Sequence, residues 1–306
     1  MSKFRYFNVS LLPIDGKTES EVGEDGYRSL IEEYGKIIRK ANDDRQLEKV
    51  SFKLRNDMFF SALHVYFGEG HAYGTLVKFD QPDAIQDLYT GAEVTKVARG
   101  GSAHRYLFDF VFDYSKHTLA IHNAYNKLPS TQPTLKAIEF FFNSIATQKF
   151  PKHQIQVGQI VSSAAVSNTL QKAKKFKRGE VEVTFTNSAY YEDALVQEIQ
   201  NEMKENATNK VTVIESSARD GFMNDFSRRF KALLRLAQIT TGNGFIRYLD
   251  RSTNRLSSFH MRNHPLELTV SQESEESDAA YRQRIRASIQ QAVTQGKEKV
   301  LGDGTK

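Results

Sequence analysis

The 306-residue chain contains no cysteine. Disulfides, thiolate metal sites, iron–sulfur clusters and cysteine nucleophiles are therefore excluded, and a reducing, cytoplasmic setting is expected. No apolar run approaches the roughly 18 residues that mark a membrane-spanning helix. The N-terminus carries no signal-peptide pattern, so a soluble intracellular protein is expected. Walker loops, dinucleotide fingerprints, HExxH and the nucleophile elbow are all missing. No cofactor and no metal ion is called for, and the chain shows neither internal repeats nor low-complexity segments.

What is present is a globular composition, 39% hydrophobic and 11% aromatic, long enough to bury one large core or two ordinary ones. Residues 99–122, RGGSAHRYLFDFVFDYSKHTLAIH, give the clearest local pattern. Tyr106, Phe108, Phe110 and Phe112 alternate with Leu107, Asp109, Val111 and Asp113, which is the period of a strand with one aromatic face buried. Asp113 to Lys116 offer turn chemistry, and residues 117–122 read as the returning strand. Upstream, strands are expected at 4–12, 49–54, 59–67 and 72–79, with a helix near 27–40. A short helix is expected from Pro82, capped by Asp80 and carrying Ile85, Leu88 and Tyr89.

Leu128-Pro129-Ser130 is a turn-rich break. It suggests an N-terminal domain over 1–127 and a basic C-terminal domain over 128–306. Beyond the break, helices are expected at 135–145, 164–175, 192–205 and 220–238, and strands at 155–161, 180–186, 211–215, 245–249, 256–261 and 266–270. A last helix carries Tyr281, Ile285 and Ile289. The expected fold class is α+β, with two mixed sheet-and-helix domains, the first built round an aromatic antiparallel hairpin.

The formal net charge is +5, and it is uneven. Residues 1–127 are close to neutral, so the excess lies beyond them, concentrated in 128–191 and 219–262. Such asymmetry points to a polyanionic partner. Lys172, Lys174, Lys175, Lys177 and Arg178 place five cations at the end of one expected helix and in the turn after it, more than dipole capping needs. Arg228, Lys231 and Arg235 recur along one face of the expected helix 220–238, opposite its apolar stripe. Arg251, Arg255 and Arg262, with Arg247, His260 and His264, form a third set on hairpin loops. Arg282, Arg284 and Arg286 are discounted because the acidic stretch before them can neutralise them. Phosphate-backbone binding needs many cations on one surface and little else. No aromatic platform for base stacking and no recognition helix is evident, so sequence-specific readout is not expected.

Catalytic constellations are weaker. Arg255 and His260 have the R-x4-H spacing of a class of metal-independent ribonucleases, in which arginine steadies a phosphate and histidine moves a proton, although this segment reads as strand. Asp109, Asp113, His117 and His122 cluster in sequence, yet a hydrated turn explains them without an ion. Glu180 and Glu182 share a strand face but lack the lysine of a nuclease site.

The pattern resembles the RexA-type exclusion proteins of phage lambda and similar abortive-infection proteins. The resemblance rests on the YFGEGHAYGTLVKF strand pair with its short helix, the RGG loop before the hairpin, the helix 135–145, the strand 155–161 and the KAKKFKR tract. It covers roughly residues 58–205. It implies a dimeric DNA-binding sensor in phage defence, acting through an effector protein encoded nearby, for which a membrane protein is one candidate. The reading is a non-enzymatic, cytoplasmic protein that binds double-stranded DNA through its phosphates. The alternatives are a ribonuclease using Arg255 and His260, or a basic scaffold for an acidic protein.

Overall fold

The computed structural model describes residues 2–14, 22–86, 89–98, 100–184, 194–206, 208, 210–239 and 242–297. The protein is α+β and divides by internal contacts into two compact units. The first comprises Met1–Phe4, Val22–Pro151 and Thr269–Arg286, and the second Arg5–Glu21, Lys152–Leu268 and Ala287–Lys306. The Leu128–Ser130 break therefore lies inside the first unit, which continues through the helix that follows it.

In chain order the elements are β1 (Ser2–Pro13), α1 (Gly23–Asp43), β2 (Phe52–Lys53), β3 (Met58–Gly68), β4 (His71–Asp80), β5 (Ala84–Gln86), β6 (Glu93–Lys96), β7 (Arg105–Asp113), β8 (Thr118–His122) and α2 (Thr131–Lys149). There follow β9 (His153–Gln159), α3 (Ser163–Lys172), β10 (Ala173–Thr184), α4 (Ala194–Glu205), β11 (Lys210–Ser216) and α5 (Arg228–Ile239). The chain ends with β12 (Asn243–Asp250), β13 (Leu256–His260), β14 (Glu267–Val270) and α6 (Asp278–Lys297). Parts of the expected elements at Leu88, Arg99, 185–186 and 192–193 lie outside the described residues.

The first unit carries the antiparallel run β2-β3-β4-β7-β8. Phe108, Phe110 and Phe112 of β7 are buried as the alternation requires, and α1 and α2 supply the rings that cover them. Phe60 packs edge-on to Phe108 at 6.0 Å and also meets Phe141 of α2. Tyr34 of α1 stacks on Phe141 at 5.3 Å. An irregularity in β3 between Ala62 and His64 leaves ladder groups unpaired, and α1 satisfies them. The Ala62 amide donates to the Tyr34 hydroxyl at 3.2 Å, and the Asn42 amide nitrogen donates to the Leu63 carbonyl at 2.6 Å. A helix that supplies such partners is fixed in place on its sheet.

The C-terminal half of the other face of β7 is covered too, while Leu107 and Asp109 remain exposed. Val111 and Asp113 are buried, because the first half of α6 crosses there: Arg282 lies over the Tyr73 ring at 4.2 Å and Arg286 donates to Asp113 at 2.6 Å. Burial alone would raise the Asp113 carboxyl, but Arg286, the Ser115 hydroxyl and the Lys116 amide hold it below its ordinary value. Asp113 is thus an ion-pair anchor, and no metal-binding group of three or more His, Asp or Glu occurs among the described residues.

Two expected helices are corrected. Residues 84–86 form β5, paired with β6, and not the first turn of a helix. Asp80 is no helix cap; its carboxylate accepts from the Ser102 hydroxyl and from the amides of Ala103 and His104, ordering the loop before β7. The expected helix 220–238 begins only at Arg228. Met223 instead exchanges two 2.8 Å backbone hydrogen bonds with Phe176, and the Ser227 hydroxyl caps the helix by accepting from the Phe230 amide at 3.1 Å.

In the second unit β1 pairs antiparallel with β9, and a four-stranded sheet runs β11-β10-β12-β13. Its inner face, with Phe176, Val181, Val183 and Ile246, packs against Phe226, Phe230, Leu233 and Leu234. Gly179 is where β10 meets α5: a Cβ there would stand 2.4 Å from Phe226 and 2.5 Å from Phe230. No helix among the described residues is long and apolar enough to cross a membrane.

Three outcomes are expected. Phe108→Ala should cost about 3–5 kcal/mol in urea denaturation, and a loss below about 1 kcal/mol would contradict the packing. Gly179→Ala should lower stability by about 1–3 kcal/mol through overpacking. His117 stacks on Tyr27 at 4.0 Å, and burial lowers its pKa to about 4, Asp113 opposing and Lys116 assisting. Below pH about 6.5 the unfolded histidine takes up a proton that the folded one resists, so this contribution is full above pH 6.5 and is lost as pH falls toward 4. His117→Asn should flatten the stability profile in that window; an unchanged profile would contradict the burial.

Candidate nucleic-acid interface

The KAKKFKR tract is not a helix end. Only Lys172 belongs to α3, and β10 begins at Ala173. Along the β10–β12 ladder Ala173 faces Asp250, but Lys175 faces Leu249; Phe176 faces Tyr248, but Arg178 faces Arg247. Each shift inserts one extra residue into β10, first Lys174 and then Lys177. Ala173, Phe176 and Gly179 consequently all point into the core, spaced by three, while Lys175 and Arg178 point outward. A strict period of two would have driven cations into the core.

The bulged lysines have separate fates. Lys177 donates to the carbonyls of Ala218, Arg219 and Gly221 at 3.2, 2.7 and 3.0 Å, and so holds the loop before α5. An ammonium that serves three carbonyls pins this loop to β10. Lys174 donates to Asn254 at 3.2 Å and reaches a cleft of about 290 Å³. Lys231, Arg235 and Arg251 line the same cleft, with Asp225 beside them and Phe176 and Leu234 also in its wall. Lys231 pairs with Asp225 at 2.5 Å. Arg251 reaches the Ala173 carbonyl at 3.4 Å. Four residues expected on three separate elements are therefore brought together, with one carboxylate among them.

The remaining cations spread over the outer sheet face and its margins. Arg178 and Arg247 are direct neighbours across strands, followed by Ser258. The next row reads Ile214, Glu180, Phe245 and His260. Arg178 pairs with Glu180 at 3.1 Å and Lys210 with Glu182 at 2.7 Å; these contacts account for the two glutamates without a metal. Lys175 and Arg247 have no carboxylate within salt-bridge reach among the described residues. Arg255 is exposed in the β12–β13 turn, Arg228 at the start of α5 and Arg262 just after β13. The expectation of a continuous cationic face along α5 is not met: Arg228 is exposed, whereas Lys231 and Arg235 are half-buried in the cleft wall.

Arg255 and His260 stand at opposite ends of β13, roughly 17 Å apart at strand rise, and are not placed to act on one phosphate. His260 instead sits against the Phe245 ring, with centroids 4.7 Å apart. Phe245 escaped notice in the sequence because Phe245 and Leu249 on one face of β12 and Ile246 and Tyr248 on the other leave both faces with apolar side chains, so the pattern does not mark which ring is outward. The cations discounted on α6 are indeed occupied: Arg284 pairs with Glu273 and with Glu276, and Arg286 with Asp113.

A family model described as "Domain of unknown function (DUF4747)" matches residues 5–289. No curated protein and no solved structure matches the chain. The protein belongs to the DUF4747 family, a domain of unknown function.

Proposed function

We propose that the second unit binds nucleic acid through its phosphates. The observation that carries this reading is the cross-strand pair Arg178–Arg247 on an open sheet face, with Lys175 beside it and four more cations at the neighbouring cleft. Like charges directly opposed across strands are destabilising. Glu180 offsets only one of the pair. A polyanion would relieve the rest. The contacts available are to phosphate and not to base edges in a groove, so binding would be salt-dependent and indifferent to sequence. Duplex DNA is the partner expected from the sequence and is one arm of the test. The RexA-like pattern adds the proposal that binding serves phage exclusion through an effector protein, which a plaquing assay with and without the gene would examine.

Binding of labelled DNA should fall steeply with salt, by about 0.9 log units per log of salt for each duplex phosphate neutralised. Replacing Lys175 and Arg247 by Ala should flatten that slope by up to about two contacts and weaken all sequences alike, with no loss of thermal stability. Lys177→Ala should do the reverse, costing about 1–3 kcal/mol of stability through its lost carbonyl contacts with little change in slope. If the wild type shows no salt-dependent binding, the reading fails, and an acidic protein partner becomes the better account of the face.

A further inference from the structure

The outer face of the β11-β10-β12-β13 sheet exposes more than charge. Ile214 on β11 is 52% exposed and Leu256 on β13 47%. Phe245 on β12 is half-buried and His260 opposite it on β13 is exposed, their rings adjacent. Along β12 the outward residues read Phe245, Arg247, Leu249, so an aromatic residue and an arginine share one face with Cα atoms about 7 Å apart. A purely electrostatic surface has no use for uncovered apolar side chains, which water disfavours. An occupant suited to this face must present flat apolar surfaces and regularly spaced negative charge together. Duplex DNA stacks its base faces inside and offers only phosphate. An acidic peptide offers charge without flat rings. A single strand offers both, and its bases stack on aromatic side chains with little regard to sequence.

We infer that this sheet face is a stacking platform for single-stranded nucleic acid, with Phe245 and His260 taking bases and Lys175, Arg178 and Arg247 taking the phosphates between them. The inference rests on the phosphate-binding reading above and narrows it to a strand type and a surface. Arg178 is aligned for this by its contact with Glu180, and the bulge at Lys177 keeps it on the outer face. Lys174 lies on the same β10 segment, and with the other cleft cations it would extend the backbone track past the sheet edge.

The test uses the full chain and three short labelled probes of equal length: an oligothymidylate, the same backbone with abasic sites, and a duplex. Fluorescence anisotropy at fixed salt should show the oligothymidylate bound more tightly than either of the others. Phe245→Ala and His260→Ala should each weaken oligothymidylate binding by about 5- to 150-fold, the range for loss of one stacked base, with duplex and abasic affinities unchanged. His260 is exposed on an edge strand, so its variant remains informative should Phe245→Ala destabilise the fold. Equal binding of all three probes, with both variants like the wild type, overturns the stacking platform and leaves phosphate binding standing. Loss of salt-dependent binding to every probe in the wild type overturns both.

Discussion

The constraint on which the second unit depends is the close approach of α5 to β10. Gly179 lies against Phe226 and Phe230 with no room for a methyl group, and Phe176 packs 4.5 Å from Phe226. Both β10 residues must face inward, yet they are three apart, which a regular strand forbids. The extra residue at Lys177 reconciles spacing with packing, and the one at Lys174 does so again for Ala173. The same insertions sort the cations. A lysine that falls on a bulge reaches sideways, to a loop or a cleft, whereas Lys175 and Arg178 are thrown onto the outer face. Core packing and surface charge in this strand are thus two results of one backbone irregularity.

Across the molecule the basic residues separate by whether a partner already holds them. In the first unit Arg286 is engaged by Asp113 and the carbonyls of Glu69 and Gly70, and Arg282 by the Tyr73 ring. Arg284 is held by Glu273 and Glu276. These cations fasten the first half of α6 across the aromatic hairpin. In the second unit Lys175, Arg228, Arg247 and Arg255 have no comparable engagement among the described residues. A net charge of +5 therefore understates how unevenly free positive charge is distributed.

Much of this could be read from the sequence where one period dominates. Phe108, Phe110 and Phe112 announced their buried face, and the apolar spacing of Tyr27, Leu30, Tyr34 and Ile38 announced α1. The turn after β7 and the acidic neutralisation of Arg284 were equally plain. The misreadings share a cause, which is that local propensity yielded to a distant partner. Residues 84–86 became strand because β6 was there to pair with. Residues 220–227 stayed out of α5 because Met223 found the backbone of Phe176. The bulges in β10 left no local trace, since a lysine-rich stretch looks alike whether it ends a helix or crosses a strand. Phe245 was hidden by apolar neighbours on both sides, and only the ladder register shows that Gly244, against Met261 and Leu234, takes the inner place.

The central claim is that the cations of the second unit's outer sheet face and cleft, and not those of α6, meet the phosphates. Arginine side-chain NMR follows the guanidinium groups individually. On titration with a short oligonucleotide, the Nε–Hε signals of Arg178, Arg247 and Arg251 should move in a salt-sensitive way while those of Arg282, Arg284 and Arg286 stay still. Movement confined to the α6 arginines, or no movement of Arg178 and Arg247 at saturating oligonucleotide, would contradict the account.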